Sequence, residues 1–187
     1  RKAGARVVFE GKQGKGNAVK TGFKNLKKDT AIVAMIDGDD SYKAYELDKI
    51  IKPIEEGKAD IVMGSRLNKN MKKGAMTKLN FMGNHMLSFI ARVLYDRKVS
   101  DLETGFVAWK RSVADKIASY LEQERFGIEP ELLAKAKRLQ YNIAVIPIKY
   151  MPRAGDTSLH PIRDGSRVLA TLMQYYFWKP YAKHKAE

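Results

Sequence analysis

The sequence predicts an α/β fold in which a mostly parallel sheet is flanked by helices, and three observations carry that reading. Residues 31–36 (AIVAMI) form a continuous apolar run of strand length that ends in DGDD. A buried parallel strand delivering side chains to its carboxyl edge has this pattern. Beyond it, Leu47, Ile50, Ile51 and Ile54 recur at helical spacing, and residues 60–64 (DIVMG) return to strand character. A third strand-like run, residues 142–150 (NIAVIPIKY), follows another helical segment. Alternation of strands with helical stretches favours parallel strands joined by crossovers.

Taken in order, residues 6–10 (RVVFE) read as a short buried strand, and GKQGKGNAVKTGF as a Gly- and Lys-rich loop entering a helix at about Asn17, a fitting N-cap. After the strand at 60–64, residues 66–78 hold five basic and no acidic residues and read as an exposed loop. The helix after it lines up Leu79, Met82, Met86, Leu87, Ile90, Val93 and Leu94 on one face. Core packing explains such a stripe, although Met-rich faces also suit acyl chains. Next come SDLETGF, a short strand through Lys110, a helix from about Arg111 to Tyr120, and FGIEPELLAKAKRL, whose Pro130 fits a first helical turn. Pro147 marks the following strand as an edge strand. A polar loop, MPRAGDTSLHPIRDG, leads to an apolar, aromatic C-terminal helix with a basic tail. The expected division is a catalytic domain at 1–164 and the helix with its tail at 165–187.

The 187 residues, 44% hydrophobic, suffice for one domain with a substantial core, which excludes disorder. Charged residues interrupt every apolar run well before the ~20 residues that cross a bilayer. With no cysteine, disulfides and thiolate metal sites are excluded. A formal net charge of +14 favours anionic partners such as phosphates or lipid headgroups. Nucleic acid is not expected, because no RNA-binding motif is present and aromatics are not interleaved with the basic stretches. The chain opens at Arg1 without a signal-peptide pattern and reads as a fragment or processed product.

Asp37 and Asp39, one residue apart at the end of a buried strand, repel each other unless they share a countercharge. Hard oxygen ligands favour Mg2+ or Mn2+, which retain coordination positions for phosphate oxygens and water. Lys12 and Lys15, among Gly11, Gly14 and Gly16, form either a phosphate cradle or a plain turn before a helix. The GK[ST] ending of a P-loop is absent. His85, His160 and His184 are scattered and receive no chemistry.

The ordered motifs GKGNAVKTGF, IDGDDSY, ADIVMGSR, DLETGF, FGIEPELLAKAKRLQYNIAVIPIKY and RAGDTS resemble the GT-A fold glycosyltransferases of family 2, in the polyprenyl-phosphate (dolichyl-phosphate) hexose synthase branch. The resemblance covers nearly the whole chain and implies a GT-A fold lacking its N-terminal strands, which in relatives bind base and ribose. It implies an inverting transfer of a hexose from a UDP- or GDP-sugar to a polyprenyl or dolichyl phosphate, on the cytoplasmic side and peripheral at an anionic membrane surface. By resemblance, Asp37 and Asp39 bind metal and diphosphate, while Arg66 with Lys69, Lys72 and Lys73 receives the lipid phosphate. Arg153 closes over phosphate groups, and Lys12 and Lys15 lie on the donor side. Asp101 is a base, a sugar-hydroxyl binder or a loop cap, and Glu129 a similar group or a helix cap. Asp40 and Ser41 stand where many relatives have Gly and Gln, and Thr157 and Ser158 where many have a Ser-Lys pair. Two other functions stay open: a family relative using a soluble or protein-linked sugar acceptor, with Asp101 as obligatory base, and a noncatalytic basic module binding RNA or anionic lipid.

Overall fold

The computed structural model describes residues 4–155 and 160–180. Its elements are α1 (Lys15–Lys24), β1 (Ile32–Ile36), α2 (Leu47–Glu55), β2 (Ile61–Ser65), α3 (Lys78–Leu94), β3 (Phe106–Lys110), α4 (Arg111–Ala118), α5 (Ile128–Arg138), β4 (Ile143–Pro147) and α6 (Pro161–Tyr176). The strands form one sheet in the order β1-β3-β2-β4. β3 is antiparallel to both β1 and β2, whereas β2 and β4 are parallel. Three of the four strands therefore share one direction, as the sequence predicts, but β3 runs against them and makes the sheet mixed. Periodicity reveals a strand without its direction, so this reversal was not foreseen.

Alternation along the strands splits the core. Val33, Ile61, Met63, Val107 and Trp109 point into one layer, completed by Leu87, Ile117, Ile128, Leu133 and Leu172 from the helices. Val62, Phe106 and Ala108 point into the other, against Ile50 and Ile54 of α2. Side chains two apart on a strand share a face, so helices pack on both sides of the central strands. β1, expected as a buried parallel strand, instead forms a border of the sheet antiparallel to its neighbour, with only Val33 buried and Ala34 and Ile36 exposed. Each fully buried Ile, Leu or Phe contributes about 1.5–3 kcal/mol. Pro147 ends β4 at one border of the sheet, in keeping with its reading as an edge residue.

The reversal of β3 positions the site. Its first residue lies opposite the last residue of β1, Phe106 against Ile36. The loop entering β3 thus meets the loops leaving β1, β2 and β4 at one sheet edge, where open α/β sheets bind ligands.

Two local expectations are corrected. Residues 6–10 are not a strand, and Val7, Val8 and Phe9 are exposed. No strand lies alongside them among the described residues; Thr21 donates a hydrogen bond to Glu10 and Arg6 one to the Asn25 carbonyl, so this segment is tied to α1 instead. The first helix is capped by Gly14, at φ 137, rather than by Asn17. Only glycine adopts that backbone without strain, which lets the helix begin at Lys15. α6 starts at Pro161, ahead of position 165. No described helix is long and apolar enough to cross a membrane. Thr157, Ser158, His184 and the basic tail from 181 lie outside the described residues.

Candidate active site

Asp37 and Asp39 leave β1 at this edge, and each faces a cation from a different loop. Lys15 Nζ, in the first turn of α1, lies 2.9 Å from Asp37 Oδ1 and also pairs with Glu129 of α5. The two carboxylates outweigh the burial of Lys15, which alone would lower its pKa, and raise it above the ordinary lysine value. Arg153 Nη1 lies 3.6 Å from Asp39 Oδ2. Its loop is fixed by backbone, with Met151 N–H donating to the Ser41 carbonyl and Ala154 N–H to the Asp39 carbonyl at 2.8 Å. Burial would raise the Asp39 carboxyl, but hydrogen bonds from the Ser41 hydroxyl and N–H, together with the Arg153 charge, hold it below its usual range.

Three glycines make room for this arrangement. A Cβ on Gly105 would stand 2.0 Å from Asp37 Oδ2, so the carboxylate fits only because that position is bare. Cβ atoms on Gly14 and Gly16 would stand 2.2 and 2.3 Å from the carbonyls of Glu124 and Gln123. The glycines thus let residues 122–124 press against the start of α1, and Asn17 N–H donates to the Glu124 carbonyl. The supporting wall at 122–124 was missed in the sequence; the Gly14/Gly16 pair was its only sign. Lys12, by contrast, is exposed and directs its charge to Glu10, outside the cluster around Asp37.

Asp101 sits beside this cluster and is 1% exposed. Arg66 engages both of its oxygens: Nη2 donates to Oδ1 at 2.7 Å, Nε to Oδ2 at 2.8 Å, and the Arg66 backbone N–H to Oδ2 at 2.7 Å. Arg66 also donates to Asn84 of α3 and lies over the Tyr150 ring. Burial would lower its pKa, but Asp101 raises it well above the usual value. Three Arg66 donors take up most of the roughly four acceptor sites of this carboxylate, and at 1% exposure little of it is open to an incoming hydroxyl. Of the readings the sequence leaves open for Asp101 (base, sugar-hydroxyl binder or loop cap), its contacts select none; what the side chain holds is Arg66. Arg66 is likewise deeply buried, while Lys69, Lys72 and Lys73 of the same loop are exposed. Asp40 turns to solvent at φ 58 and pairs with Lys43, so it does not join Asp37 and Asp39.

Sequence reasoning also missed Glu103, in the middle of DLETGF. It lies near enough to both ion-paired groups to feel the charges of Glu129, Arg66, Lys15 and Asp101. Its Oε1 and Glu129 Oε2 are buried without hydrogen-bond partners among the described residues. Burial first, and the Glu129 charge second, push the Glu103 pKa well above the ordinary glutamate value. A carboxyl whose pKa is raised by folding contributes stability that is fully present below its unfolded pKa, near 4.5, and is lost as pH rises through the folded value. Glu103→Gln, which has no proton to lose, is expected to melt several degrees above the wild type at pH 8, with the gap closing toward pH 5. Paired melting curves across pH check this; a variant less stable at pH 8 would show an ionised Glu103.

The donor chemistry fits a divalent cation. Asp37 and Asp39 are hard oxygen ligands, and no group of three or more His, Cys, Asp or Glu among the described residues is poised to enclose a metal. Two carboxylates suit an ion whose remaining positions belong to substrate phosphates and water.

The model of "Glycosyl transferase family 2" matches residues 1–118. The chain belongs to glycosyl transferase family 2. This family 2 glycosyltransferase is 36% identical over 168 residues to a dolichyl-phosphate hexose transferase of Haloferax volcanii, covering 90% of this chain and 70% of that protein. It is 34% identical over 172 residues to glycosyltransferase AglJ of the same organism, covering 91% of this chain and 55% of that protein. The chain thus spans 55% of the length of the one relative and 70% of the other. Its fold is similar to the crystal structure of glucosyl-3-phosphoglycerate synthase from Mycobacterium tuberculosis in complex with Mn2+, uridine-diphosphate-glucose and phosphoglyceric acid. That likeness has a TM-score of 0.68 at 20% identity and covers 97% of this family 2 chain and 64% of the other. The fold is GT-A-like, as the motifs imply.

Proposed function

We propose that this chain carries the catalytic centre of an inverting hexosyltransferase that moves a sugar from a nucleoside-diphosphate donor to a polyprenyl or dolichyl phosphate at the cytoplasmic face of a membrane. The observation that carries the reading is the convergence on Asp37 and Asp39 of Lys15 and Arg153, with the Arg66–Asp101 pair alongside. Asp37 and Asp39 would hold Mg2+ or Mn2+, which when bound neutralises charge on the departing diphosphate. The name of the Haloferax relative and the Mn2+ and uridine-diphosphate-glucose in the similar crystal structure support the acceptor and donor classes.

The residues divide the work. Lys15 and Arg153 supply fixed positive charge on either side of the carboxylates, placed to meet donor phosphates. Arg66, charge-paired with Asp101 and buried, anchors the start of the loop that presents the exposed Lys69, Lys72 and Lys73, which receive the acceptor phosphate. A phosphate acceptor arrives ionised, so transfer rests on positioning and charge neutralisation rather than on a base. The clamping of Asp101 favours this over a soluble sugar acceptor, whose hydroxyl would need deprotonation.

The test is release of nucleoside diphosphate from UDP- and GDP-hexoses with Mn2+, in the presence of a short-chain polyprenyl phosphate or a free sugar. Turnover is expected with the phosphate. Turnover with the free sugar alone would overturn the acceptor assignment.

A further inference from the structure

The stripe on α3 that reads as core packing is, for the most part, not in the core. Leu87 is buried, but Met82 is 68%, Met86 58%, Phe89 58% and Val93 67% exposed, with Leu79 alike. These five residues follow one another at spacings of three and four and occupy a single arc of the helix. The opposite arc faces the site: Asn84 accepts a hydrogen bond from Arg66 at 3.1 Å, and Ser88 Oγ accepts one from Leu102 N–H at 2.9 Å. α6, packed beside α3, carries its own exposed apolar residues, Ile162 and Met173 among them, and exposed Phe177 follows it directly. A contiguous exposed apolar face marks an interaction surface.

Charge identifies the partner. α3 contains Lys78 and Arg92 and no acidic residue, and the loop before it contributes Lys69, Lys72 and Lys73. A helix with an apolar arc bordered by cations is built to lie in the plane of an anionic lipid surface. We infer that the outer face of α3, extended by α6, is the surface on which this chain docks on an anionic bilayer. The consequence is geometric. Because Arg66 bonds to the inner side of the docking helix, it stands roughly one helix diameter, about 10 Å, above the lipid plane. A lipid phosphate can then reach the basic loop without its chain leaving the bilayer. The inference deepens the lipid-phosphate reading of the site, yet it can fail independently of it.

The test uses the whole 187-residue chain and vesicles of phosphatidylcholine with or without phosphatidylglycerol. The wild type is expected to co-sediment with the phosphatidylglycerol vesicles. Met82→Glu/Met86→Glu and Phe89→Glu, at exposed positions that folding does not use, should weaken that binding about tenfold or more. Their melting temperature and thermal response to Mn2+ with a sugar nucleotide should stay unchanged, which separates loss of docking from loss of the active site. Binding of the variants equal to wild type would overturn the inference. So would a wild type that ignores these vesicles but forms a dimer that the same substitutions dissociate, which would assign the face to a second copy.

Discussion

Asp39→Asn is expected to lower metal-dependent transfer by about 10²–10³-fold, the usual cost of removing one electrostatic contact to developing charge, while leaving the fold intact. The substitution preserves volume and leaves an oxygen to accept the hydrogen bonds from Ser41. It removes the negative charge that faces Arg153 and that a divalent cation requires. The Asp39–Arg153 pair is partly exposed at 3.6 Å, so its loss should change stability by at most ~1 kcal/mol. Asp40→Asn is the internal control, since Asp40 points to solvent and pairs with Lys43. Nucleoside diphosphate release by the two variants should differ sharply while their melting temperatures agree. Equal activity would remove Asp39 from the centre.

Asp101→Ala should have the largest effect on stability. Removing one member of a buried ion pair strands the other charge and costs about 3–5 kcal/mol. For a chain of this size each kcal/mol lowers the melting temperature by about 2–4 °C. Arg66 would keep Asn84 and the Tyr150 ring but lose three hydrogen bonds, one from its backbone N–H. Asp101→Asn separates positioning from base catalysis. Under positioning, the amide accepts only part of the Arg66 fork, so the melting temperature falls and turnover with a phosphate acceptor persists at a reduced rate. A variant with wild-type stability and no turnover would restore Asp101 as a base.

How legible the site was depended on whether the signal was local. The apolar run into DGDD announced β1 and its carboxylates, and Pro130 and Pro147 marked a helix start and a sheet border, because each is a short-range constraint. The Arg66–Asp101 clamp spans 35 residues, and nothing in either motif names its partner. The reversal of β3 was hidden for a related reason: its direction is set by pairing with β1 and β2, strands that begin far earlier in the chain at Ile32 and Ile61, and an apolar run carries no sign of its partners' direction. On α3, spacing established that the apolar residues share an arc, but only the packing of Asn84, Leu87, Ser88 and Ala91 decides which arc faces inward. In residues 6–10, apolar character suggested a strand that finds no neighbour among the described residues.

The most direct measurement of the Asp37–Asp39 centre is a thermal-shift series with UDP- and GDP-sugars, with and without Mn2+, on the wild type and on Asp37→Asn and Asp39→Asn. A ligand that binds only the folded state raises the melting point in proportion to its occupancy. The wild type is expected to gain stability with one class of sugar nucleotide only when Mn2+ is present, and both variants to lose that gain while melting normally without ligand. A sugar-nucleotide shift of equal size without metal, or one retained in both variants, would contradict the assignment of Asp37 and Asp39 as the metal and diphosphate centre.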